Sequence, residues 1–145
     1  MANEYYAEVV RSRDPKGPGT LTLYRDDEPV GQWSCITGGD QTDPKILGGL
    51  CPPIAWVMIE PIELRTHPQG HKMEMARLLP LWEGKALYPK RTYEMDKWPF
   101  MIHVAGNSSG CIAIHGDQWR QAVAALNKAY TSNTFLIEVR DQTPS

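Results

Sequence analysis

The chain has 145 residues, a formal net charge of −2 and a hydrophobic fraction of 41%. That length suits one domain with a real core, and a charge so close to neutral excludes a global electrostatic footprint for nucleic acid. No apolar run approaches a membrane span, and the opening Met-Ala-Asn-Glu-Tyr-Tyr lacks the charged-then-apolar pattern of a signal peptide, so the expectation is a product made in the cytoplasm without a span.

Twelve glycines and twelve prolines favour short strands and turns over long helices. In chain order, Glu4 to Arg11 reads as a first strand, and Asp14-Pro-Lys-Gly-Pro-Gly19 as a turn. Thr20 to Tyr24 alternates cleanly, Arg25 to Pro29 turns, and Val30 to Thr37 returns through Trp33 and Ile36, which predicts a hairpin. Gly38 to Pro53 is a long loop by composition, and Ile54 to Ile59 reads as a strand. Within His67-Pro-Gln-Gly-His71 the histidines have the spacing of a helical metal pair. Pro68 and Gly70 oppose a helix there, however, so exposed turn histidines are expected and no metal site. Lys72 to Leu81 reads as a strand with Met73, Met75 and Arg77 on one side. Gly84 to Trp98 interleaves basic and aromatic residues, a pattern shared by single-strand nucleic-acid grooves, by lids over anionic peptides and by plain solvated surface.

The chemistry concentrates in Phe100 to Ile114. Phe100, Ile102 and Val104 alternate with Met101 and His103, and Ile112 and Ile114 alternate with Cys111, Ala113 and His115, so two strands are expected. Between them Ala105-Gly-Asn-Ser-Ser-Gly110 bends the chain. Such a turn brings His103 and Cys111 together on the less apolar face. A thiol needs an imidazole within reach to become the thiolate nucleophile. Gly110 permits close backbone approach, and the amides of Gly110 and Cys111 suit an oxyanion. The plainer alternative is a buried packing cysteine and a histidine that satisfies a turn.

Beyond this pair, Asp117 is expected to cap a helix, and Trp119, Val123, Leu126 and Tyr130 form one apolar stripe down it to an end near Ser132-Asn133. Thr134 to Arg140 alternates as a closing strand. Three cysteines, Cys35, Cys51 and Cys111, allow either a Cys35–Cys51 pair with Cys111 free or three reduced thiols. Cys51 before Pro52-Pro53 offers a rival nucleophile, opposed by the strand pattern that follows it.

The segment His103…Ser108-Ser-Gly110-Cys111-Ile112 resembles the active-site motif of the L,D-transpeptidase (YkuD-type) cysteine enzymes, in which a strand histidine precedes Ser-His-Gly-Cys-Ile-Arg. Its short loop is similar to the compact branch found among type VI secretion effectors and phage proteins. Thr37-Gly-Gly39 resembles the turn that follows the first strand pair of that fold. The chain departs at Ser109 and Ala113, where the family usually has histidine and arginine.

The resemblance implies a mostly β (α+β) fold, an L,D-transpeptidase-like sandwich or partly closed sheet with one C-terminal helix, as one catalytic domain over residues 1–145. It implies acyl transfer on peptidoglycan stem peptides through a Cys111 thioester, with His103 as base, the carbonyl of Val104 orienting its ring, and Gly110 and Cys111 amides at the oxyanion. Asn107, Ser108 and Ser109 would shape the turn and hold substrate. No cofactor is expected. Delivery outside the Sec route to the periplasm of a target cell, with a secretion-apparatus carrier and a cognate immunity protein, follows from the same resemblance. Two other readings stay open: a non-catalytic wall-binding or virion-associated module that kept the fold, and a Cys51-based amidase.

Overall fold

The computed structural model describes residues 5–11, 19–36, 55–66, 70, 72–80, 100–104, 112–130 and 135–141. Strands β1 (Tyr5–Arg11), β2 (Gly19–Arg25) and β3 (Glu28–Ile36) form an antiparallel meander, as the alternation predicts. The β2–β3 turn is tighter than expected and occupies only Asp26 and Asp27, whose φ angles of 51° and 70° are both left-handed. Two consecutive left-handed residues match the right-handed twist of the flanking strands, and aspartate tolerates that region better than most side chains.

Five further strands with regular patterns follow: β4 (Ala55–Met58), β6 (Lys72–Pro80), β7 (Phe100–Val104), β8 (Ile112–Ile114) and β9 (Phe135–Asp141). A short β5 (Glu63–Thr66) was not expected, because Glu-Leu-Arg-Thr is largely exposed on both faces and carries no apolar alternation.

All nine strands belong to one sheet in the order β4-β9-β1-β2-β3-β8-β7-β6-β5, and β4 also pairs with β6. That extra pairing joins the two ends of the order into a closed, barrel-like ring of eight strands, with β5 continuing along the free half of the β6 edge. The expected mostly β architecture with one C-terminal helix is present, and where a sandwich or partly closed sheet was expected the strands form a closed, barrel-like sheet. Closure follows from β4, which pairs with β6 on one side and on the other with β9, itself inserted parallel to β1.

Register defines the barrel interior. Val9 faces Leu21 and Val139, Leu21 faces Trp33, Cys35 faces Ile114, Ile102 faces Ile112 and Ala76, and Trp56 faces Ile137. Every one of these side chains is buried. Full burial of a large aliphatic or aromatic side chain contributes roughly 1.5–3 kcal/mol, so this layer dominates the favourable side of folding. Gly31 belongs to it: a Cβ there would lie 2.5 Å from the Trp33 ring, so the indole occupies the space that a side chain at Gly31 would need.

Helix α1 (Trp119–Ala129) buries Trp119, Ala122, Leu126 and Ala129 into the same apolar cluster, with Val123 and Tyr130 half-buried beside them. The expected Asp117 cap is not used. A 3-10 turn over Gly116–Gln118 precedes the helix, the His115 ring accepts from the Asp117 amide at 3.4 Å, and Asp117 therefore lies inside the turn. The helix ends at Ala129, earlier than expected, because Tyr130 turns to an extended ψ of 95°. Both helix ends are tied down by side chains: Gln118 accepts from the Ser34 amide at 2.7 Å, and the Tyr130 hydroxyl donates to the Ile59 carbonyl at 3.0 Å. Among the described residues no helix is long and apolar enough to cross a membrane.

Candidate active site

β7 and β8 carry the sequence-predicted site, and they pair in parallel: Ile102 opposite Ile112, His103 opposite Ala113, Val104 opposite Ile114. Parallel neighbours usually need a connection of a dozen residues or more. Here residues 105–111 suffice because Ile112 lies beside Ile102, so the chain leaving Val104 retreats only about 7 Å along the strand axis before re-entering the sheet.

Directly opposed residues share a face. Ile102, Ile112 and Ile114 therefore point into the barrel, and His103 and Ala113 point to its outer surface, the segregation that the alternation predicts. The register extends that outer row laterally: Glu63, Met75, His103, Ala113 and Ile36 stand side by side across β5, β6, β7, β8 and β3. The expected contrast between the two faces is weaker than the sequence suggests. Met75, Met101 and Ala113 are as buried as the interior residues, and His103 is only 1% exposed. His103 thus shares with its cross-strand neighbour Met75 and with Met101, two residues away, an outer face withdrawn from water. Among the described residues no buried side-chain nitrogen or oxygen lacks a hydrogen-bond partner.

Of the predicted site residues, His103 and Val104 are placed, side by side at the end of β7. Asn107, Ser108, Ser109, Gly110 and Cys111 lie outside the described residues, as do Cys51, the pair His67 and His71, and the basic-aromatic segment 84–98. Cys35 is a free thiol on the barrel interior, where desolvation pushes its pKa up to about 12 and keeps it protonated and inert. Among the described residues no group of three His, Cys, Asp or Glu side chains could hold a metal ion.

Sequence reasoning missed an ionic cluster on the same outer face. β6 pairs with β5 over Lys72–Met75 and with β4 over Leu78–Pro80, which leaves a gap on that edge at Ala76 and Arg77. Glu60 fills it. Its carboxylate accepts from the Arg77 amide at 2.9 Å, standing in for a strand carbonyl, while Ile59 donates to the Arg77 carbonyl at 3.3 Å. The same carboxylate binds the Arg77 guanidinium through Nε at 3.2 Å and Nη2 at 3.0 Å, and lies 3.2 Å from Arg65 Nε. Burial alone would raise the Glu60 pKa, but the hydrogen bonds and charges of Arg77 and Arg65 outweigh it and leave the carboxyl below its ordinary value. The placement of Arg77 on the Met73–Met75 side was legible from alternation. Its carboxylate partner was not, because Glu60 lies in a connection with no periodicity to read.

No protein-family model, curated protein or solved structure matches this chain.

Proposed function

We propose that the chain is a peptidoglycan-modifying cysteine acyl transferase with an L,D-transpeptidase-like fold, using Cys111 as nucleophile and His103 as base. One observation carries the reading: the parallel register that sets Ile112 beside Ile102. Cys111 directly precedes Ile112 in the sequence and His103 directly follows Ile102, so the register brings the two halves of the motif to neighbouring strands.

His103 accepts the proton of the Cys111 thiol, and the thiolate sulfur attacks the carbonyl carbon of a stem-peptide bond. Backbone amides at Gly110 and Cys111 hold the tetrahedral oxyanion. The carbon–nitrogen bond then breaks, His103 returns its proton to the departing amine, and the acyl group remains as a thioester. An acceptor amine attacks to give a cross-link or amino-acid exchange, and water gives carboxypeptidase action; either step regenerates the thiol. Withdrawal of His103 from bulk water favours this role, since a shielded imidazolium gives its proton to the departing amine rather than to solvent.

The test is incubation of wild type and Cys111→Ala with muropeptides carrying tetrapeptide stems, followed by mass analysis. Loss or exchange of terminal D-Ala, or a new cross-link, absent in Cys111→Ala, is the expected result. No change with folded wild type would sink the enzyme and put a non-catalytic wall-binding module first.

A further inference from the structure

Arg77 and His103 are diagonal neighbours on one sheet face. Met75 stands directly opposite His103 and Arg77 directly opposite Met101, so Arg77 is offset from the imidazole by one strand and two residues. In an antiparallel pair that diagonal is roughly 7–8 Å between Cα atoms, a distance that a few residues of bound peptide span.

Two features distinguish this guanidinium from an ordinary surface arginine. The first is its orientation. Glu60 holds it by Nε at 3.2 Å and Nη2 at 3.0 Å, and also grips the Arg77 amide at 2.9 Å, so backbone and side chain are fixed by one carboxylate. The second is its remaining donor capacity. A guanidinium has five N–H donors arranged as two forks. Glu60 takes the Nε edge, no hydrogen bond among the described residues engages Nη1, and the side chain remains 54% exposed.

We infer that Arg77 is a substrate-binding residue that receives a peptide carboxylate on its Nη1–Nη2 fork, on the sheet face that carries His103. The inference rests on the reading of His103 as the catalytic base. A fork-to-fork contact with carboxylate is strong and directional, and a lysine does not reproduce it. Glu60 acts through Arg77 as a positioning residue.

Peptide binding tests this independently of turnover. Wild-type protein is titrated calorimetrically with a tetrapeptide stem as the free acid, as its C-terminal amide, and with only the internal D-Glu carboxylate amidated. Wild type is expected to bind the free acid at least about tenfold more tightly than one of the two amides, and which amide is weak identifies the carboxylate that is held. In Arg77→Gln that ratio is expected to fall to about one, and in Arg77→Lys to an intermediate value, with thermal melts confirming folded protein. Equal affinity of wild type for acid and both amides, absence of binding by any of them, or a preference that survives in folded Arg77→Gln would overturn the inference. Turnover of the same peptides is scored separately, so an inactive protein with an Arg77-dependent acid preference would sink the enzyme and keep the carboxylate site.

Discussion

The side chain of Asn127 acts as a strand for one residue: its Oδ1 accepts from the Ile62 amide at 2.7 Å and its Nδ2 donates to the Ile62 carbonyl at 3.0 Å. Ile62 is buried in the β4–β5 connection, where no neighbouring strand satisfies its backbone, and helix α1 supplies both partners from one amide group. The connection that presents Glu60 to Arg77 is thereby fastened to the helix.

Replacing Asn127 with Leu removes both bonds and leaves two part-buried backbone groups unpaired. A loss of about 2–4 kcal/mol is expected in urea unfolding. Asn127→Asp keeps the acceptor and loses the donor, and should recover part of that loss. Equal stability of the leucine variant and wild type would show that water replaces the amide without cost.

Glu60 imposes a pH dependence of defined sign. A carboxyl held below its ordinary value contributes stability that is fully present above an unfolded pKa of about 4.3 and is lost as pH falls through the lower folded value. The stability gap between wild type and Glu60→Gln should therefore be widest near neutrality, at about 1–3 kcal/mol, and narrow on acidification below about pH 4. A gap that widens on acidification would contradict the assignment.

Cys35 acts in the opposite direction. Its thiol stays protonated in the folded state to about pH 12, whereas the unfolded thiol ionises several units lower. Its contribution is intact below the unfolded pKa and is lost as pH rises toward the folded one, at up to about 1.4 kcal/mol per pH unit. Cys35→Ala should flatten the alkaline decline of stability between about pH 9 and 11. At neutral pH an alkylating reagent should modify Cys111 about a thousandfold faster than Cys35, as read by peptide mapping. Comparable rates would remove the case for an activated Cys111.

The Asp26-Asp27 turn can be improved. Asn-Gly accepts two successive left-handed residues with less strain, and the exposed 3.3 Å bond from the Tyr6 hydroxyl to Asp27 is given up. The double change Asp26→Asn with Asp27→Gly should raise stability by about 0.5–1 kcal/mol, a few degrees in Tm.

Local patterns were readable wherever one face of an element is apolar. The β2–β3 hairpin, the helix stripe through Trp119 and Leu126, and the opposite facing of Ile102 and His103 all follow from period alone. Pairings between distant strands were not, since nothing in Tyr6 or Leu136 declares that they stand side by side. β5 escaped because its exposed Glu-Leu-Arg-Thr needs only an edge to add to. Glu60 and Asn127 escaped because each replaces a missing strand partner, a role that sequence spacing does not mark. Burial of His103 together with Met75 and Met101 was hidden as well, because it depends on packing between elements that spacing along one strand does not mark.

The insertion of β9 between β1 and β4 sets the order in which the molecule can be completed. β1 leaves the ribosome before the other eight strands, yet one of its two neighbours is formed by Phe135–Asp141. Until those residues emerge, the Ala7 and Val9 side lacks its Ile137 and Val139 partners, and the nascent sheet has an open apolar border. Sealing it requires the most sequence-distant contacts in the fold, so the final step should be slow, on the order of milliseconds to seconds. The interval before closure is when self-association is most probable.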